Sequence, residues 1–269
     1  MNTSFESSEL IILKDEHWLK RQKHAGRCVS NVLKECGDLI LNNTPHLNLL
    51  DLEKLVYQYC NVYDATPTFL GYKGFPSACC ISVNKAVVHG IVHDYELQPG
   101  DIVSVDLGAT YEGAIADAAR TWIYGKPKDP KHVDLLNVGY EALLLGQKQV
   151  KVGNRLGSIG NAIYKYVSNK GYGVITDYGG HGIDYNKPHS KPFVANKQHP
   201  DDGNVIVNGL SIAIEPMVVF GEAKTKVDSD GWTVRTPELS CHYENSVTVF
   251  DNKVHIITES PYEGKWSCE

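Results

Sequence analysis

Hydrophobic residues in the first part of the chain fall with helical spacing. Over residues 16–42, Val29, Val32, Leu33 and Cys36 share one stripe, and Thr44-Pro45 interrupts the pattern. In a second helix Leu52, Leu55, Val56, Tyr59 and Cys60 recur at i, i+3, i+4, i+7 and i+8. From about residue 68 to 124 the texture changes to short β-type runs punctuated by glycine: ACCISV, AVVHGIV, DIVSVDLG and GAIADAARTWIYG. Residues 132–150 and 156–169 return to helical spacing, with Leu135, Val138, Ala142 and Leu145 as the recurring apolar positions. Strands then resume in YGVITDY, LSIAIEPMVVF, GWTVRT and HYENSVTVF. The order helices, strands, helices, strands predicts an α+β fold with two similar halves facing each other across one site.

Within the β-type runs, acidic residues stand where apolar or neutral ones are expected. In DIVSVDLG, Val103, Val105 and Leu107 share one face and Asp106 the other, with Ile102 and Ser104. A turn signal lies around Thr110–Gly113. A turn centred between Tyr111 and Glu112 sets Asp106 directly opposite Asp117, and facing like charges destabilise a sheet. Three resolutions are open: a different register with solvated charges, a shared proton, or a cation between the two carboxylates.

Three further positions could complete a cation site. His181 lies in YGGHGI, where glycines on both sides let backbone pack closely around a side chain; the alternative is a histidine on a surface turn. Glu215 is set among Ile212, Ala213, Ile214, Met217, Val218 and Val219, a costly place for a carboxylate that is not protonated, paired or metal-bound. Pro216 holds Glu215 extended and marks a strand end or edge. In HYENSVTVF, strict alternation puts His242, Glu244, Ser246 and Thr248 on one face, so Glu244 taken alone is equally compatible with a solvent-facing position. Two Asp, two Glu and one His suit a pair of divalent transition ions, with Mn, Fe, Co or Zn all compatible. Carboxylates bridging two such ions give the geometry of metal-assisted hydrolysis.

Composition narrows the classes. The 269 residues carry 26 Lys+Arg against 32 Asp+Glu, a formal charge of −6, and 42% hydrophobic residues. These values predict a globular chain with no electrostatic reason to bind nucleic acid or an anionic membrane. Seven cysteines with no CxxC suggest neither a disulfide framework nor a thiolate zinc site, and favour a reducing compartment. The start lacks the basic and apolar segments of a signal peptide, and no apolar run approaches the roughly 18 residues of a membrane span. The expectation is a cytoplasmic protein, organellar stroma or matrix being the other option.

Taken together, the runs YKGFPSACCISVNKAVVHG, GDIVSVDLGATYEGAIADAARTW, GGHGI, SIAIEPM, DGWTV and HYENSV resemble a type I methionine aminopeptidase, of the pita-bread dinuclear metallohydrolases (peptidase family M24). The likeness spans about residues 16–258. The family order of metal ligands, Asp–Asp–His–Glu–Glu, falls on Asp106, Asp117, His181, Glu215 and Glu244, at intervals of 11, 64, 34 and 29 residues. The resemblance implies a pita-bread fold, with antiparallel sheet inside and helices outside two pseudo-symmetric halves. It implies a single catalytic domain over 16–258, between a flexible segment at 1–15 and a tail at 259–269.

The implied activity is metal-dependent hydrolysis of the first peptide bond, releasing methionine from peptides or nascent proteins with a free amino terminus. Asp106 would serve one ion, His181 and Glu215 the other, with Asp117 and Glu244 shared. Glu215 would also handle the water proton, and His89 and His189 would contact the substrate amide and the developing oxyanion. Phe69, Tyr72, Phe75, Cys80 and Trp232 would form the methionine slot; read without the family, each is a core residue. Asn84 and Ser240 match positions around a monovalent cation.

There are departures from the family pattern. One additional residue separates His181 from His189, Pro188 replaces the usual aromatic, His242 stands where glutamine is common, and Asn245 where histidine is frequent. A monomer is expected. The alternatives are a proline-directed enzyme (X-Pro aminopeptidase or prolidase), which normally carries a large N-terminal domain, and a pita-bread protein that binds without catalysis.

Overall fold

A computed structural model describes residues 10–259. Residues 1–9 of the segment expected to be flexible, and 260–269 of the tail, lie outside the described residues. Within the described part, Lys14 is buried and its Nζ lies 2.7 Å from Asp184 Oδ1.

The first half opens with α1 (Glu16–Leu41), capped by Asp15, whose carboxylate accepts from Trp18 N at 2.7 Å. In α2 (Leu49–Val62) the start is a capping box, with Asn48 and Asp51 bonding each other's backbone. The strands that follow are β1 (Thr66–Pro67), β2 (Cys80–Val83), β3 (Ala86–Val88), β4 (Ile102–Tyr111) and β5 (Ala114–Ile123). The predicted stripe of Val29, Val32, Leu33 and Cys36 is fully buried and packs in one core with Val103, Val105 and Leu107 of β4.

The second half repeats the plan. Helix α3 (Pro130–Gln147) carries Pro130 in its first turn behind the N-cap Asp129, and α4 (Gly157–Asn169) follows. The strands are β6 (Tyr172–Val174), β7 (Gly180–Asp184), β8 (Lys187–Val194), β9 (Ser211–Ile214), β10 (Met217–Phe220), β11 (Lys226–Val227), β12 (Val234–Arg235), β13 (Ser240–His242), β14 (Asn245–Phe250) and β15 (Lys253–Ile256). A second core joins Leu135, Leu136 and Leu143 of α3 and Ile159 and Ile163 of α4 to Ile212, Ile214 and Val247. Among the described residues, pairing is antiparallel in sheets ordered β15-β14-β9-β7-β8, β13-β10-β6 and β11-β12-β3, beside the sheet in which β4 pairs with β1, β2 and β5. Helices and antiparallel sheets together make an α+β fold, as the order of elements predicted.

Two local expectations are corrected. The β4–β5 turn is Glu112-Gly113, both at positive φ (45° and 78°), as a two-residue type I′ turn demands. Its centre lies one residue later than expected, so Asp106 faces Ala119 and Asp117 faces Gly108. The two aspartates keep the same face but are diagonal neighbours. The break of β9 from β10 at Glu215-Pro216 is the strand end that Pro216 marked, but the run 242–250 is also not a continuous strand, since β13 breaks from β14 at Tyr243-Glu244. Proline supplies no N–H to the ladder, which accounts for the first break.

Candidate metal centre and active site

The site forms where those breaks meet. Ile214 pairs with Asn245 and Met217 with His242, so the register is the same on both sides of the gap and Glu215 and Glu244 face each other across it. The β4–β5 hairpin approaches from the other half. Ser246 Oγ accepts from Asp117 N and donates to Asp117 O, both at 2.8 Å, while Glu244 N donates to Ala119 O at 2.9 Å. These bonds set Asp117 beside Glu244. On the far side of β4, Asp106 pairs with Cys80 of β2.

His181 comes from β7, held close to its neighbours by glycines. A Cβ on Gly180 would lie 2.2 Å from Ala213 O, and one on Gly182 1.9 Å from Lys191 O. The β7–β8 ladder slips twice between His181 and Asp184. That irregular hairpin accommodates the spacing before His189, whose ring stands edge-on to His181 at 4.5 Å between centroids. His89 follows β3 at φ 57°, a left-handed conformation that turns the chain at the cleft wall, with its ring 5.7 Å from that of Tyr178.

Three groups of donor atoms, each within 4.8 Å of one another, result: Asp106, Asp117 and Glu244; His181, Glu215 and Glu244; and Asp117, His181 and His189. Asp117, His181 and Glu244 each belong to two of them. Asp106 Oδ1, Asp117 Oδ1 and Glu244 Oε1 are buried, with no hydrogen-bond partner among the described residues. Arg120 is beside the cluster, yet its guanidinium donates to the carbonyls of Ala119, Glu244 and Thr258 and to Asn245 Oδ1.

The electrostatic consequence is direct. Burial, then the charges of Asp117 and Glu215, pushes the Asp106 carboxyl well above the carboxylate range. Burial and Glu215 push Asp117 up to about 8, against a small opposing pull from the Ala118 N–H. Glu244 is raised by burial and by all three neighbouring acids. Burial also acts on Glu215, but contact with His242 and the nearby His181 and His89 overcome it and hold that carboxyl below its usual range. Buried acids this close carry a heavy cost as anions unless cations join them. Unpartnered inward oxygens beside an imidazole are the donor set that divalent transition ions take.

Above the cluster, Phe69, Phe75 and Cys80 are buried together, with Trp232 packed edge-on against Phe75 at 5.1 Å. Tyr72 lies 5.1 Å from the His189 ring. The five residues expected to form the methionine slot thus share one cleft with His89, His189 and the acidic cluster. Tyr178, Lys73, Phe193 and Val227 line it too and were not anticipated. Tyr178 directly precedes GGHGI, a signal that could have flagged it; Phe193 reaches the cleft only because β8 pairs it with His181. Elsewhere, Ser240 Oγ lies 3.2 Å from Asn84 O and 3.4 Å from Ala86 O, so three oxygens converge.

Acidic groups and imidazoles gathered at the floor of an apolar cleft, between two halves of antiparallel sheet, define a metal-dependent hydrolase. The profile of metallopeptidase family M24 matches residues 20–251, and the chain belongs to that family. It is similar to a methionine aminopeptidase of Clostridium acetobutylicum, 38% identical over 93% of this chain and 99% of the relative. The crystal structure of methionine aminopeptidase from Thermotoga maritima superposes with a TM-score of 0.89 at 36% identity, covering 93% of this chain and all of the other. A prolidase from Pyrococcus horikoshii shares the fold at 21% identity and a TM-score of 0.74, but this chain covers 65% of it. Among the described residues no helix is long and apolar enough to cross a membrane.

Proposed function

We infer that this chain removes methionine from the amino terminus of peptides and newly made proteins by metal-dependent hydrolysis. The observation that carries the reading is the set of partnerless buried carboxylate oxygens beneath an apolar slot lined by Phe69, Tyr72, Phe75, Cys80 and Trp232. The donor chemistry fits two divalent ions, of Co, Mn, Fe or Zn type, held by Asp106, Asp117, His181, Glu215 and Glu244. Such ions, when bound, supply Lewis acidity that activates water, polarises the scissile carbonyl and anchors the free α-amine.

The chain's own groups do the rest. Glu215 is ionised, so a carboxylate oxygen is available to take a proton from water and return it to the leaving nitrogen. Burial pulls His89 down to about 4 and His189 well below the ordinary imidazole value. Both are therefore neutral near pH 7, able to donate an N–H to the substrate amide and to the developing oxyanion without placing another charge in the cleft. The slot admits an unbranched thioether and desolvates it against aromatic faces. The Asn84 carbonyl and Ser240 hydroxyl form a site for a monovalent cation, and the enzyme works as a cytoplasmic monomer.

The test is peptide cleavage after metal stripping and re-addition of each divalent ion. Met-Ala-Ser is expected to be cut, while formyl-Met-Ala-Ser and Ala-Pro-Ser are not. Turnover of the proline peptide alone would overturn the methionine assignment, and metal-independent turnover would overturn the mechanism.

A further inference from the structure

His242 takes no part in the ligand set or the methionine slot, yet its imidazole is among the most deeply buried polar groups of the site, at 1% exposure. Its Nε2 lies 3.3 Å from Glu215 Oε2, an ion-pair distance without the alignment of a hydrogen bond. Neither ring nitrogen makes an aligned hydrogen bond among the described residues, and Glu215 Oε2 is the acceptor that lies nearest to Nε2 in the ion pairs of the site. Polar atoms buried this way are costly unless they serve a neighbour, and the neighbour here is a carboxylate.

The main chain at His242 leaves the ring little freedom. Thr121 Oγ1 accepts from His242 N at 3.0 Å and donates to His242 O at 2.7 Å, and β13 pairs His242 with Met217. The two oxygens of Glu215 are divided as a result: Oε2 is turned to His242, while Oε1 lies 3.6 Å from His181 Nε2.

We propose that His242 is a positioning residue, whose Nε2–H holds Glu215 Oε2 and so leaves Oε1 as the oxygen presented to the ion-binding cluster. A carboxylate can only accept, so holding Glu215 requires a proton on Nε2. Outer partners of this kind orient a ligand, and their loss typically costs 10–100-fold in metal affinity or activity.

The inference rests on the reading of Glu215 as a metal ligand and makes a separable prediction. A glutamine side chain carries its amide nitrogen at the ε position and reaches Glu215; asparagine carries it at the δ position and does not. The full chain and its His242→Gln, His242→Asn and His242→Leu variants would be stripped with a chelator. Each would then be titrated with Co2+, followed by calorimetry and by the visible d–d absorption.

His242→Gln is expected to stay within about threefold of wild type in affinity, with the same band. The Asn and Leu proteins should bind roughly 10–100-fold more weakly, with a shifted band and kcat reduced at nearly constant KM. Two amides that serve only to fill space would not differ, so Asn and Gln behaving alike, at any level, overturns the proposal. Loss of Co2+ affinity in a folded His242→Gln protein overturns it alone, whether or not the Asn and Leu variants fold. Wild-type protein that binds no Co2+ would instead sink the reading of Glu215 as a ligand.

Discussion

Replacing Gly182 by alanine tests whether backbone contact behind His181 sets the geometry of the site. The added Cβ would lie 1.9 Å from Lys191 O and 2.4 Å from Lys191 C, both main-chain atoms that cannot swing aside. Carbon and carbonyl oxygen meet at about 3.3 Å, so β7 and β8 must part locally by about 1.4 Å. His181 is adjacent to the clash and His189 lies on the displaced strand. A misplacement of about 1 Å in a catalytic constellation costs on the order of 10²-fold in rate, and overpacking costs about 1–3 kcal/mol in stability. Single-turnover and steady-state cleavage of Met-Ala-Ser should therefore show kcat lowered on the order of 100-fold, in a protein that still melts cooperatively.

Gly171→Ala is the control. At φ +82° with nothing within 4 Å, it bears a left-handed strain of about 1–2 kcal/mol but moves no site residue. It should lose stability and keep kcat. A Gly182→Ala enzyme within about threefold of wild type, or a Gly171→Ala enzyme equally impaired, would refute the claim that this contact positions the histidines.

Other outcomes follow from the same geometry. Asp106→Asn should reduce cleavage by at least about 100-fold. Metal-free Asp106→Asn should melt no lower than metal-free wild type, because one of four crowded carboxyls is gone; calorimetry of both forms checks this. In the metal-free protein Asp117 titrates near 8 in the folded state, so folding takes up a proton that the unfolded chain has released, and stability falls as pH rises. The buried histidines act in the opposite sense below about pH 6.5. The fall should thus be clearest between pH 6.5 and 8, and added Mn2+ should abolish it; denaturant melts at both values with and without the ion measure it. Trp232→Ala removes one wall of the slot, and kcat/KM for Met-Ala-Ser should drop by at least about tenfold, as the lost apolar contact implies.

Much of the molecule could be read from local pattern. The α1 stripe, the α2 spacing, the acidic hairpin and the strand ending at Glu215-Pro216 are all decided by neighbours within a few residues. The five acidic and imidazole residues stood out for a local reason too: each occupies a place where its chemistry conflicts with the surrounding strand or turn. The Asp106–Asp117 register differs from the one the sequence predicts because Glu-Gly at the hairpin tip is a weaker turn signal than Asn-Gly, and one residue moves the whole pairing. Strict alternation through Tyr243-Glu244 failed because the ladder changes sheets there, which no periodicity of two announces.

What the chain alone determined is therefore which elements form and which side chains are chemically out of place, since both depend on spacing along one strand or helix. Only the tertiary structure decided that Glu215 faces Glu244, that His242 lies beside Glu215, and that Tyr178 and Phe193 wall the cleft. Those are meetings between segments tens to more than a hundred residues apart. They are set by sheet register and by glycine-permitted backbone contact, which fix where strands cross without leaving a periodic mark on either segment.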